Sequence, residues 1–497
     1  MDASPLEHPV YRAAQVREAD RRAIEDIGIP GYALMCRAGA AALRALHARW
    51  PRARRIRVVC GAGNNAGDGY VLARLAHDAG LEVGVAWLYP PERLQGSAAT
   101  AQAAARAAGV PLAAFHEVAL QGAELIVDAL LGTGLDRPLD ASWAAAVVAI
   151  NAAGRPVLSL DLPSGLHADS GAVLGAAVRA DLTVTFIAPK LGLYCGSGPD
   201  LAGEIEPADL ELPAEVFRGL PVAVWRLAAA GLPRWLPGPR PRSAHKGQFG
   251  HVLVVGGQPG MGGAARLAAE AAARVGAGLV TLATHPAHAD VLTAGRPELM
   301  CLGVAGPEDL LPRVARATVV AVGPGLGQGA WARALLAALW AADRPLVVDA
   351  DALNLLAQTP MRRDDWVLTP HPGEAARLLD TTAAAVQADR PAAAAALQSR
   401  YGGVVVLKGA GTLIHDGQRC RLSTAGNPGM ASGGMGDLLT GAVAGLRAQG
   451  LAPGAAATAA VLLHGLAGEA AARDDGERGL LAGDLLPELR RLANPVS

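Results

Sequence analysis

The chain has 497 residues, more than one ordinary hydrophobic core accommodates, so two large domains are expected. Its 44 basic and 45 acidic residues leave a formal net charge of −1, and only 4% of residues are aromatic. That balance excludes a nucleic-acid or anionic-membrane footprint made by bulk charge, and so few rings exclude a base-stacking platform.

Residues 12–27 alternate charged and apolar positions at helical spacing and predict an amphipathic opening helix; Cys36 to Trp50 predicts a second. A short β-rich run, Arg55 to Cys60, feeds into GAGNNAGDG at residues 61–69, with a helix expected from Tyr70 to Ala79. Strand, glycine loop and helix in that order form the phosphate-binding arrangement of doubly wound sheets. This loop is not the standard GxGxxG: Asn64, Asn65 and Asp68 add side-chain oxygens to its backbone N–H groups. The pattern repeats with strands at Leu81–Tyr89, Ala123–Asp128, Arg155–Asp161 and Ala180–Ile187. The loops after them carry Leu131–Asp136, Leu162–Gly165 and Ala188–Gly192. Strand ends of an open parallel sheet form the ligand crevice, so Asn64, Asn65, Asp68, Asp128, Asp161, Ser164 and Lys190 are expected to converge there. Asn65, Asp128 and Ser164 together offer oxygen ligands with one formal charge, which suits a monovalent cation.

From about Leu212 the texture changes, and residues 232–242 hold four prolines and no apolar period, as a linker would. The expected division is therefore 1–222, a Pro-rich linker at 223–243, and 244–497. A second α/β series follows, with strands at His251–Val255, Thr318–Val322, Pro345–Asp349, Trp366–Thr369 and Gly403–Leu407. The fold class read from this order is α/β, with two doubly wound domains. His285 and His288 have no third ligand nearby in sequence and read as ordinary polar residues. Gly450–Gly468 carries no Asp, Glu, Lys or Arg, but its alanines and glycines read as a core helix rather than a membrane span.

Five scattered cysteines (36, 60, 195, 301, 420) form no C-x-x-C pair, and the first residues show no basic stretch before an apolar run. A soluble, cytoplasmic protein is the expectation. Only three lysines occur, Lys190, Lys246 and Lys408, each beside a glycine turn. Where Arg serves nearly every surface role, such a lysine points to a need for a compact ammonium. The stretch STAGNPGMASGGMGD, residues 423–437, precedes a helical apolar run. Successive N–H groups at that helix start cradle an anion, and Asp437 at its mouth suits a base that takes a proton from an attacking hydroxyl.

The motifs GAGNNAGDG, DALLGTG, LDLPSG and APKLG, in this order, resemble those of NAD(P)H-hydrate epimerase. HKGQFG, GPGLG, DADALNLL, TPHPGE, LKGAGT and AGNPGMASGGMGD resemble the ADP-dependent NAD(P)H-hydrate dehydratase of the ribokinase superfamily. Fused in this order they resemble the bifunctional nicotinamide nucleotide hydrate repair family, with a Rossmann-like N-terminal domain and a ribokinase-like C-terminal one. The resemblance implies epimerisation of hydrated NADH and NADPH (NADHX and NADPHX) by the first half. It implies ADP-driven dehydration of one epimer by the second, giving NAD(P)H, AMP and phosphate.

By the same resemblance Asp437 is the base, and Ala264, Gly325, His371 and Asp437 touch the hydrate. Lys408, Gly409, Ala410, Gly411, Thr412 and Gly436 hold the adenine nucleotide with Mg2+. In the first half Asn64, Asn65, Ala66, Gly67 and Asp68 embrace the dinucleotide together with Gly132, Thr133, Gly134, Leu135, Asp136, Arg137 and Pro138. Asp161 is the acid/base candidate with Lys190 second, and Asn65, Asp128 and Ser164 match the family's potassium ligands. Ala66 stands where the family's loop has glycine, and its methyl is expected to tighten the loop against a phosphate. No nucleic-acid or membrane partner is expected, and a homo-oligomer is. Two other readings remain open on the residues alone: a ribokinase-class small-molecule kinase, and a non-catalytic dinucleotide-sensing first domain.

Overall fold

The structure is a computed structural model that describes residues 6–494. It divides into two compact units, one spanning Pro9–Ala223 and the other Val224 onward together with Glu7 and His8. The chain opens with strand β1 (Glu7–Val10) and the helix Ala13–Arg21, which continues in a wider turn where the Ile27 N–H reaches the Arg22 carbonyl. Seven strands build the first unit's sheet: β2 (Arg55–Cys60), β3 (Glu82–Trp87), β4 (Leu112–Ala114), β5 (Leu125–Ala129), β6 (Val157–Leu160), β7 (Leu182–Phe186) and β8 (Glu204–Ala208). They are ordered β4-β3-β2-β5-β6-β7-β8 and every neighbouring pair is parallel. Residues of β5, β6 and β7 are buried throughout, as expected where helices cover both faces. The order reverses between β2 and β5, so the loops leaving these strands part and open a crevice.

The helix after β2 starts at Asn64 rather than Tyr70. Its first residues, Asn64 to Gly69, show no apolar period because they are asparagine, aspartate and the small residues alanine and glycine. In the fold, that smallness lets it pack beneath the helices Gly31–Arg49 and Gly96–Ala107.

The second unit's strands are β9 (Val224–Leu227), β10 (His251–Val255), β11 (Leu279–Thr284), β12 (Met300–Gly303), β13 (Val319–Val322), β14 (Leu346–Val348), β15 (Val367–Leu368), β16 (Val404–Leu407), β17 (Thr412–His415) and β18 (Cys420–Ser423). Their sheet runs β1-β9-β18-β17-β16-β15-β14-β13-β10-β11-β12. From β12 to β16 it is parallel, and the order reverses between β10 and β13; β16, β17 and β18 then pair antiparallel.

The expected linker at 223–243 is corrected here. Val224–Leu227 is a strand with Trp225 opposite Arg421, and Leu232 and Leu236 join the core. Four residues with buried ends are too short a run to stand out beside the following prolines. The boundary falls between Ala223 and Val224, and Glu7 and His8 belong with the second unit.

Two helices back this sheet's central strands, Gly262–Arg274 and Met435–Ala448, and they touch over most of their length. A β-carbon at Gly441 would sit 2.0 Å from the Ala268 carbonyl oxygen, so this close approach needs glycine. The helix Pro453–Asp475 packs against Met435–Ala448 and Ala482–Leu492. Its stretch Pro453–Arg473 is long and apolar enough to cross a membrane, yet 78% of the apolar window is buried inside the fold. A Gly441→Ala variant is expected to lose about 1–3 kcal/mol, seen as a lower thermal midpoint; an unchanged midpoint would show that the two helices part freely.

Two candidate active sites

A cleft of about 740 Å³ opens at the carboxyl edge of the first unit's sheet, over the β2/β5 reversal. Asn64, Asn65 and Asp68 from the helix after β2, Gly132, Thr133 and Gly134 after β5, Asp161 after β6 and Lys190 after β7 all line it. Asp161 has φ 69°, a left-handed conformation that a non-glycine residue adopts only when its surroundings hold it there. Its holders are a backbone bond from Asp161 N–H to the Val184 carbonyl (2.7 Å), the Phe186 N–H donating to its carboxylate (3.2 Å), and the Lys190 ammonium. Lys190 is only 1% exposed and also donates to Thr185 Oγ1 (3.1 Å) and the Phe186 carbonyl (2.6 Å). Its place is beneath Asp161, where it positions that carboxylate. Burial pushes Asp68 well above the usual carboxylate range, with Asp161 and Asp20 adding and Lys190 opposing.

Behind the cleft, the fully buried Asp128 accepts from Ser164 Oγ (2.6 Å), the Ser164 N–H (2.9 Å), Ser159 Oγ (2.9 Å) and the Leu130 N–H (3.2 Å). Burial raises its pKa, and these donors oppose the rise. The amide of Asn65 is buried with neither Oδ1 nor Nδ2 hydrogen-bonded among the described residues. A buried orphan acceptor is a costly feature that a bound cation would satisfy.

In the second unit, Asp349 directly follows β14, Lys408 directly follows β16, and the helix Met435–Ala448 begins beside both. Lys408 Nζ donates to Asp349 Oδ1 (2.6 Å) and lies 4.0 Å from Glu374 Oε2. Thr440 Oγ1 donates to the other Asp349 oxygen at 2.7 Å. Gly434 caps the helix at φ 92°, a left-handed conformation that glycine takes without steric penalty. A β-carbon at Gly436 would lie 3.3 Å from Lys408 Nζ, so the helix start abuts the ammonium.

Asp437 sits on the first helical turn, its pKa pushed up to about 7 by burial and then by Asp349 and Glu374, with Lys408 opposing. Burial draws Lys408 down, but Asp349 and Glu374 outweigh it and hold the ammonium charged. His371 caps the helix Pro372–Leu379, its Nδ1 accepting from the N–H groups of Gly373 (3.0 Å) and Glu374 (3.4 Å). Burial and the charges of Lys408 and Arg377 lower its pKa, so the ring stays neutral with its proton on Nε2. Met261 and Ala264 flank Gly325 on the β10/β13 side.

A family model described as NAD(P)H-hydrate dehydratase matches residues 252–491, and one described as YjeF-related protein N-terminus matches residues 31–192. The bifunctional NAD(P)H-hydrate repair enzyme of Coxiella burnetii is 53% identical over 98% of this chain and 99% of its own. The chain belongs to the bifunctional NAD(P)H-hydrate repair enzymes. The family's Escherichia coli member is 42% identical over 99% of this chain and 95% of its own. A solved ribokinase-like superfamily protein from Enterococcus faecalis is 31% identical, covering 54% of this chain and 94% of its own at a TM-score of 0.50. The second unit is ribokinase-like, and the first, a Rossmann-like parallel sheet, carries the match to the YjeF-related N-terminal model.

Within this repair-enzyme fold the sites differ in detail from the sequence reading. From this loop Leu131 to Gly134 line the first cleft, while Leu135 is partly buried, Asp136, Arg137 and Pro138 are exposed, and none of these four lines it. Ala66 is fully buried in the core with Cys60 and Tyr70, so its methyl faces away from any phosphate in the cleft. Lys408–Gly411 forms the turn between β16 and β17, with Thr412 Oγ1 donating to the Gly409 carbonyl at 2.8 Å.

Arg390, almost fully buried, donates to the carbonyls of Leu407, Lys408 and Gly411 and shapes that turn. Nothing in its alanine-rich helix announced it. Asp349 and Glu374 stand in the motifs DADALNLL and TPHPGE and Thr440 in the apolar run after Asp437, and no local signal marks any of them as a neighbour of Lys408. Asp20 was also missed, although its i+4 spacing from Val16 places both on one helical face.

Because Asp437 ionises more readily in the unfolded chain than in the fold, it withdraws stability as pH rises from about 4 through about 7. An Asp437→Asn variant is therefore expected to melt about 2–4 °C higher than wild type at pH 8, with no such gain at pH 4. Equal midpoints at pH 8 would show that the carboxylate is better solvated than its surroundings indicate.

Proposed function

We propose that the second unit dehydrates one epimer of hydrated NAD(P)H at the expense of ADP, and that the first unit interconverts the two epimers. The observation that carries this reading is Asp437, an acid with a pKa near neutrality, placed at a helix N-terminus beside the Lys408 ammonium. Hydroxide is a poor leaving group, whereas a phosphorylated hydroxyl departs readily as phosphate. Asp437 takes the hydroxyl proton as that oxygen attacks the terminal phosphorus of ADP, and AMP leaves. The N–H groups at Gly434–Gly436 and the Lys408 ammonium stabilise the negative charge of the transferred group. Loss of phosphate and of a proton from the neighbouring carbon then restores the ring double bond.

Ala264, Gly325 and neutral His371 hold the hydrate against Asp437, and the Lys408–Thr412 turn with Gly436 holds the nucleotide. Mg2+ arriving on the nucleotide would find hard oxygen donors in Glu374 and Asp437, and it supplies positive charge that offsets the phosphates.

In the first unit, Asn64–Asp68 and Gly132–Gly134 embrace the dinucleotide, and Asp161, positioned by Lys190, moves a proton at the carbon that inverts. K+ fits the orphaned Asn65 oxygen with Asp128 and Ser164, where it supplies charge to neutralise the ligand's phosphates.

The test is regeneration of NADPH absorbance from a mixed-epimer hydrate with ADP, Mg2+ and K+. Wild type is expected to convert the whole sample, Asp437→Asn none of it, and Asp161→Asn only the usable epimer before slowing. Because Asp437 must be ionised, kcat/KM for dehydration is expected to rise with pH through about 7. No regeneration, with ADP untouched, would overturn the dehydratase; conversion of one epimer only by wild type would overturn the epimerase.

A further inference from the structure

The helix Ala13–Arg21 carries none of the motifs on which the family resemblance rests, yet Val16, Arg17 and Asp20 line the first unit's cleft. Arg17 Nη1 donates to the Thr133 carbonyl at 2.9 Å and ties this helix to the loop after β5. Asp20 lies three residues on, half-buried, and faces the same cleft as Asp161, Asp68 and Lys190.

Asp20, Asp68 and Asp161 thus share the cleft with the buried Lys190 ammonium, while a fourth lining carboxyl, Glu25, is paired with Arg21. The remaining charged groups there come from the N-terminal helix and the turn after it. Arg17 is turned to Thr133, while Arg21 is engaged by Glu18, Glu25 and Asp26. Lys190 is committed to Asp161. Among the described residues neither Asp20 nor Asp68 forms an ion pair of its own, and of the two Asp68 is the more deeply enclosed.

Inversion at a hydroxyl-bearing carbon asks for two proton-transfer groups, because the hydroxyl leaves from one face of the ring and returns on the other. Asp161 comes from the sheet edge and Asp20 from a separate helix. We propose that Asp20 is a second catalytic residue of the epimerase cleft, exchanging a proton with the substrate hydroxyl on one face while Asp161 does so on the other. This rests on the epimerase reading above.

Burial raises the Asp20 pKa, Asp161 raises it further and Lys190 opposes, so this carboxyl keeps a proton to higher pH than an exposed aspartate does. Hydration of an enamine places hydroxyl on the carbon bonded to nitrogen. The Asp20 proton passes to that hydroxyl, the C–O bond breaks with its electron pair on oxygen, and water departs. The ring nitrogen lone pair forms the C=N bond of the resulting iminium ion. Water adds to the other face, the C–O bond re-forms, and Asp161 accepts the released proton. Between turnovers Asp161 releases its proton to solvent and solvent returns one to Asp20, so atoms and charge balance and no oxidant or reductant enters.

The experiment uses the full chain and the epimer that the second unit does not dehydrate, following inversion by proton NMR without ADP across pH 5–9. Asp20→Asn is expected to lower kcat for inversion about 10²–10⁴-fold and to remove the loss of activity on the alkaline side. KM should stay within about threefold, which a merely binding role would not give. Asp20→Glu is expected to recover about tenfold or more of the loss. An unchanged far-UV circular dichroism spectrum and thermal midpoint report that the first unit of each variant is folded, and ADP-driven dehydration of the other epimer reports the same of the second unit. Inversion by Asp20→Asn within about threefold of wild type, or a KM rise with kcat unchanged, would overturn the role of Asp20 while Asp161→Asn remains inactive. Failure of wild type itself to speed inversion over buffer would overturn the epimerase reading and this proposal together.

Discussion

Each unit is organised around one buried ammonium set against more carboxylates than it can neutralise. In the first, Lys190 holds Asp161 while Asp68 and Asp20 stand nearby; in the second, Lys408 holds Asp349 while Glu374 and Asp437 crowd in. A single positive charge leaves the surplus acids with raised affinity for protons, which suits a group that must both take and release one. Both lysines stand at or just beyond the carboxyl end of a parallel strand. The sheet is therefore the rigid frame that sets the spacing on which the chemistry depends.

The frame itself follows from burial. Strands such as Leu125–Ala129 and Val404–Leu407 are covered on both faces, so their registers are fixed by packing and their ends cannot drift. The order reversal at β2/β5 in one unit and β10/β13 in the other opens the crevice at the edge where the polar residues emerge. Small residues do the rest. Gly441 lets two helices meet backbone to backbone, and the small residues Ala66, Gly67 and Gly69 let a helix begin directly beneath its neighbours.

The two sites place their acids differently. Asp161 is reached through a strained left-handed backbone locked by Val184, Phe186 and Lys190, so its position depends on tertiary support. Asp437 rides on the first turn of a long helix, where geometry is inherited from regular secondary structure. The helix start that favours an anion also favours the ionised carboxylate, and burial with Asp349 and Glu374 works against that ionisation.

The sequence by itself determined the two α/β series, the polar ends of their strands, the isolated lysines and Asp437 before its apolar helix. Those features are local: a strand's apolar run, a glycine turn and a capping position each span a few neighbouring residues. Only the tertiary structure decided that Val224–Leu227 is a strand, that Ala66 faces the core, and that Leu135–Pro138 do not line the cleft. It alone brought Arg390 to the Lys408–Gly411 turn and Asp20 to Asp161, over separations that no periodicity encodes. Charge balance in a buried site is a property of the groups that meet there, and their meeting depends on the packing of the whole unit.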